Sequence, residues 1–186
     1  VYLNEKWNDN FNEILNSLDG FVKQGKIRNI GISNEKSWGA MRYIEESNKC
    51  NLPRVVTIQN AYSLLNRPFE GDLAEISIRE GLGLLAYSPL GFGVLTGKYR
   101  NGIPSDSRAA TPHFASFVEP YLSDKQSQIV EAVCVAAEGL GYSPLEVALA
   151  WVRDAPAVTS VILGARTGAQ LRGALSSEEV TLPEVV

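Results

Sequence analysis

The stretch Leu84–Tyr99, LLAYSPLGFGVLTGKY, starts as a strand and then breaks off. Leu84, Leu85 and Ala86 are apolar and Tyr87 closes the run. Ser88–Pro89 ends it, because proline has no N–H to give to a ladder. A loop broken by Gly91 and Gly93 follows and reaches a lone cation, Lys98. In a parallel α/β protein, ligands bind in the loops beyond the carboxyl ends of the strands.

Elements on both sides of this stretch set its context. NFNEILNSLDGFVKQG places Phe11, Ile14, Leu15, Leu18, Phe21 and Val22 on one helical face, and Gly25 suits a left-handed cap. KIRNIGIS predicts a strand centred on Ile30, beginning near Ile27, and a helix follows over Ser37–Lys49. RVVTIQ predicts a second strand from Val55. GDLAEISIREG predicts a helix closed by Gly81 or Gly83, and GLLAYS is the third strand. A long loop is expected from Pro89 to about Leu122. Two helices then carry start signals: Ser123 with Gln126, and Ser143–Pro144 with Glu146, each with the spacing of a capping box. TSVILG is the fourth strand, before a helix from about Gly168 to Leu175.

Strands alternating with helices at this spacing predict a parallel sheet covered by helices. Near-continuous apolar strands predict burial on both faces. Two architectures fit: a doubly wound open sheet, or a (β/α)8 barrel of which four units are half. No G-x-G-x-x-G follows a strand, so a Rossmann site lacks its usual signature.

The chain has 186 residues, 45% hydrophobic and 20% charged, the balance of one globular domain. A net charge of −4 without a basic run argues against nucleic acid as a partner. No apolar stretch approaches the ~20 residues of a membrane helix, and none reads as a signal peptide. Cys50 and Cys134 make no disulfide framework; Cys134, within IVEAVCVAA, suits a buried small hydrophobe. A reducing cytoplasm is expected. The first residue is Val1 rather than Met, and TLPEVV stops where a helix begins, so both ends are expected to be cut.

Polar groups collect at the strand ends: Ser33 and Asn34 after the first, Gln59 after the second, Tyr87 and Ser88 after the third, Gly164 and Arg166 after the fourth. Ser33 and Asn34 serve a cap or turn equally well. Gln59, ending an apolar run, needs partners for its amide. Lys98 and Arg108, taken alone, read as solvated surface charge.

GKIRNIGISN, TIQNAYSLLNR, LLAYSPLGFGVLTGKY and VILGARTGAQL, in this order and spacing, resemble the C-terminal half of the aldo-keto reductase family. The similarity lies toward its branch of Tas-like proteins and potassium-channel β-subunits. The resemblance implies a parallel (β/α)8 TIM barrel, of which residues 1–186 supply about the last four β/α units. It implies hydride transfer from NADPH to an aldehyde or ketone, without metal. By the same resemblance, Ser33, Asn34 and Gln59 would hold the nicotinamide carboxamide and Tyr87 would stack on the ring. Ser88, Pro89, Leu90 and Gly91 would follow the pyrophosphate, Lys98 and Arg108 would supply charge, and Gly164, Arg166 and Gln170 would hold the adenosine end. The family usually has an asparagine where this chain has Ala174, which leaves Arg166 to compensate.

The family's proton donor is a tyrosine assisted by lysine, aspartate and histidine on the first four strands. None has a matching position here, so no catalytic residue is assigned. His113, in TPHFASF, reads as a loop residue. Two other readings remain: an NADPH-binding, redox-sensing β-subunit-like protein, and a half-barrel interaction module.

Overall fold

The computed structural model describes residues 10–183. The helix expected to begin in TLPEVV falls partly outside them. In chain order the elements are α1 (Phe11–Lys23), β1 (Ile30–Ser33), α2 (Ser37–Cys50), β2 (Val55–Ala61), α3 (Asp72–Glu80) and β3 (Gly83–Tyr87). Then come α4 (Pro112–Val118), α5 (Asp124–Leu140), α6 (Pro144–Arg153), β4 (Val158–Ile162) and α7 (Gly168–Leu175). The strands form one parallel sheet in the order β1-β2-β3-β4, so each strand–helix unit lies beside the next. Among the described residues, the sheet does not close on itself.

Sequence chemistry accounts for most boundaries. α1 ends in a Schellman motif at Gly25 (φ 69°): Lys26 N–H donates to Phe21 O (3.0 Å) and Gly25 N–H to Val22 O (2.9 Å). α6 opens with the expected capping box. Ser143 N–H donates to Glu146 Oε2 (2.8 Å), and Glu146 N–H donates back to Ser143 Oγ (3.3 Å). The box expected at Ser123 does not form. Ser123 has the extended cap backbone but no side-chain bond, and Gln126 turns inward with its Oε1 buried and unpartnered among the described residues.

β1 starts at Ile30, three residues after the expected Ile27, because the chain needs Lys26–Asn29 to leave the Gly25 turn. The expected loop after Pro89 contains α4, started by Pro112 at its first position, so His113 is helical and lies edge-on to Phe114 at 5.0 Å.

Burial differs from the two-faced expectation. Ile32, Ile58 and Leu84 are register partners that face the helices, and one apolar cluster joins Ile58, Leu84 and Ala86 to Ala40 and Ile44 of α2 and Val152 of α6. A second cluster joins Leu95 to the α5 stripe Val130, Val133, Cys134 and Ala137, spaced as one helical face. The other sheet face, carrying Thr57, Gln59, Leu85 and Ser160, is only partly covered, and β4 has no buried residue. Likewise α1 buries Phe11 and Leu15 but leaves Ile14 and Phe21 exposed, because only one of its flanks meets a described neighbour.

The uncovered face has a pattern of its own. A Cβ on Gly31 would collide with Thr57 Oγ1, and one on Gly83 with Thr159 Oγ1. β1 and β3 therefore give up side chains at the level where β2 and β4 supply threonines. Among the described residues, no single helix is long and apolar enough to cross a membrane.

Candidate functional site

The loops after β3 and β4 enclose a hollow of about 420 Å³. It brings together Tyr87, Ser88, Pro89, Leu90, Lys98, Arg108, Gly164, Arg166 and Gln170, nine of the residues singled out in the sequence. Ala174 lines it too. Among the described residues, three cations line this space and no carboxylate does.

Its floor is an unusual piece of backbone. Ser88 (φ 53°) and Phe92 (φ 57°) are left-handed without being glycine, and Gly91 and Gly93 have φ of 52° and 92°. Such conformations persist where the surroundings enforce them, and they cluster at ligand clamps. Gly93 is also a close approach: a Cβ there would sit 3.0 Å from Lys98 Nζ. The lysine therefore folds back over main chain, with its ammonium 5.0 Å from the Tyr99 ring centre. Gly91 lies buried behind the wall rather than in it, facing Leu65.

Across the hollow, Arg166 N–H donates to Gln170 Oε1 (2.8 Å), and Gln170 N–H donates to Thr167 Oγ1 (3.2 Å), which caps α7. T-x-x-Q here repeats the capping signature of Ser143–Glu146, a signal the sequence reading passed over. The Arg166 guanidinium reaches back to Asp106 O at 3.2 Å, tying the β4 end to the loop that carries Arg108. Arg108 itself lies 5.9 Å from the Phe114 ring.

Ser33, Asn34 and Gln59 do not line this hollow. Ser33 and Gln59 are register partners, and Ser33 Oγ donates to Gln59 O at 3.0 Å. Asn34 (φ 55°) donates its N–H to the same carbonyl. The link to the hollow is Tyr87, whose hydroxyl donates to Asn34 Oδ1 at 2.7 Å. Tyr87 also borders a second recess of about 500 Å³ that Asn34 lines, so its ring stands between the two groups. Sequence reasoning missed Phe92, Thr96, Leu145, Ile162 and Leu163 in the wall. GFG was a legible sign for Phe92; Leu145 comes from α6, far along the chain, and nothing local marks it.

Comparison with known proteins gives the family. The model for the aldo/keto reductase family matches residues 3–186. Protein tas of Escherichia coli is 47% identical over 175 residues, covering 94% of this chain and 50% of that protein. An uncharacterized oxidoreductase, YrpG, of Bacillus subtilis is 32% identical over 176 residues, covering 95% of this chain and 52% of its own. A putative voltage-gated potassium channel subunit beta of Schizosaccharomyces pombe is 32% identical over 162 residues, 86% of this chain and 47% of that one. The chain spans about half the length of these relatives. With a parallel, helix-covered sheet whose polar groups gather at the strand carboxyl ends, the chain belongs to the aldo/keto reductase family.

Proposed function

We propose that this chain supplies the cofactor half of an NADPH-dependent oxidoreductase that reduces aldehydes or ketones. The observation that carries this reading is the charge of the hollow: among the described residues, Lys98, Arg108 and Arg166 line it and no carboxylate does, in a chain of net charge −4. A ligand with several phosphates suits that wall. The residues fit one. Gly93, at the end of the left-handed turn, presents main chain where a side chain would intrude, and Lys98 is folded onto it.

Lys98 and Arg108 take the pyrophosphate charge. Arg166, beside the start of α7, takes the 2′-phosphate of the adenosine, with Gly164 and Gln170 flanking it. Ala174 gives that end only a methyl group. Tyr87 offers its ring to the nicotinamide. Asn34, with its Oδ1 occupied by Tyr87, keeps its amide N–H groups for the carboxamide, beside Ser33 and Gln59. Bound NADPH supplies the hydride. These side chains hold one face of the ring toward a small carbonyl substrate.

The proton donor lies outside this set, on the other half of a (β/α)8 barrel of which β1–β4 form one half. The glycine–threonine alternation across the uncovered face supports the barrel, because barrel layers draw side chains from alternate strands. Two free cysteines, one of them exposed, suit a reducing cytoplasm. The test is NADPH consumption by the intact protein with 4-nitrobenzaldehyde. Turnover supports the reading. Tight NADPH binding without turnover favours a redox-sensing role, and no binding removes both.

A further inference from the structure

NAYSLLNR, Asn60–Arg67, contributes no residue to the hollow, yet it forms a braced structure beside it. Ser63 and Asn66 close a tight turn by exchanging backbone bonds, each 3.0 Å. One end is anchored on α6. Arg67 grips Glu70 with two bonds (2.8 and 2.7 Å) and lies 5.3 Å from the Trp151 ring centre. Tyr62 stacks on Trp151 at 5.4 Å and donates its hydroxyl to Glu70 Oε1 at 2.8 Å. Burial first, and then Glu70, push the Tyr62 hydroxyl pKa upward, so it stays protonated as a donor.

The other end reaches the ligand-facing loop. Leu65 fills the space behind Gly91, 3.1 Å from where a Cβ would sit. Asn66 Nδ2 donates to the Tyr121 hydroxyl at 3.3 Å, across 55 residues of chain. Tyr121 packs on Phe92 with ring centres 5.6 Å apart, and Phe117 packs on Phe92 at 6.2 Å. Phe92 is the non-glycine residue held left-handed between Gly91 and Gly93. That conformation is costly for an aromatic residue and persists where its surroundings enforce it.

We propose that Asn66 is a positioning residue: through the Tyr121 hydroxyl it fixes the Phe92 ring, and so sets the left-handed turn against which Lys98 lies. The consequence for ligand affinity rests on the NADPH reading; the hold on the turn does not.

The experiment has two arms on the intact protein, using Asn66→Ala, Tyr121→Phe and the double variant. Tyr121→Phe keeps the ring packing and removes only the hydroxyl. The first arm is hydrogen exchange without ligand. Exchange should quicken over residues 88–98 and stay unchanged over α5 and α6, with the double variant no faster than either single one. The second is titration with NADPH and with NADH. Affinity for both should fall together by roughly 2–10-fold, the range of one neutral hydrogen bond. Unchanged exchange over 88–98 in both single variants overturns the proposal; faster exchange with unchanged affinity overturns its consequence for the ligand. If the wild type binds neither nucleotide, the NADPH reading fails and the exchange arm alone decides the role of Asn66.

Discussion

Arg166→Ala in the intact protein should separate the two nicotinamide nucleotides. NADPH differs from NADH by one 2′-phosphate carrying roughly −1.5 to −2 charges, if it behaves as other phosphomonoesters do. The chain is acidic overall, so nonspecific attraction does not favour that group. The Arg166 guanidinium spends one bond on Asp106 O at 3.2 Å. Five N–H donors leave it free to take a phosphate without giving that bond up. A charge-assisted hydrogen bond contributes roughly 1.5–3 kcal/mol, or ~10–150-fold in affinity. Arg166 is exposed, and solvent screening places it at the lower end, roughly 10-fold for NADPH. NADH should be nearly unaffected. Lys98→Ala, beside the pyrophosphate wall, should weaken both. Fluorescence titration of each nucleotide against each variant decides it. Equal losses for NADPH and NADH in Arg166→Ala would refute the assignment of the 2′-phosphate to this arginine.

Residues 1–186 expressed alone should leave NADPH unconsumed in the presence of 4-nitrobenzaldehyde; spectrophotometric turnover would overturn the claim that the proton donor lies elsewhere. The same polypeptide should dimerise, aggregate or be molten in sedimentation, because β1 and β4 are open parallel edges. Gly83→Ala should cost roughly 1–3 kcal/mol by overpacking against Thr159, and Thr159→Ala should recover most of it in urea unfolding. Glu70 is held below the usual carboxylate range, chiefly by Arg67, so its contribution is present above the unfolded value and lost as pH falls through the folded one. Unfolding midpoints of wild type and Glu70→Gln should differ at pH values above the ordinary glutamate range and converge as pH falls below it.

Much of the sheet was legible because it rests on local chemistry. Val55 and Gly83 begin β2 and β3 where the apolar runs begin, and Ser143, Pro144 and Glu146 fix the start of α6. Ser123 shows the limit: its spacing to Gln126 matched a cap, but the tertiary setting drew the glutamine amide inward. Periodicity marked the whole apolar face of α1, yet it says nothing of which neighbours are present to cover Ile14 and Phe21. At the site, the residues near Tyr87 and Arg166 came together, while the hold of Asn66 on Tyr121 spans 55 residues and leaves no local trace. The left-handed φ of Ser88 and Phe92 is likewise a product of packing rather than of residue type.

The central claim is that the hollow between the β3 and β4 ends binds a phosphate-bearing nicotinamide nucleotide through its three cations. Its most direct measurement is a calorimetric titration of NADPH into the intact wild type, beside the Lys98→Ala/Arg108→Ala/Arg166→Ala variant. The wild type should bind saturably, with affinity that falls as salt rises and as inorganic pyrophosphate is added, and the triple variant should bind roughly 1,000-fold more weakly, from three charge-assisted bonds at the lower end of roughly 1.5–3 kcal/mol each. Equal NADPH affinity in the two proteins, with the variant folded, would contradict it.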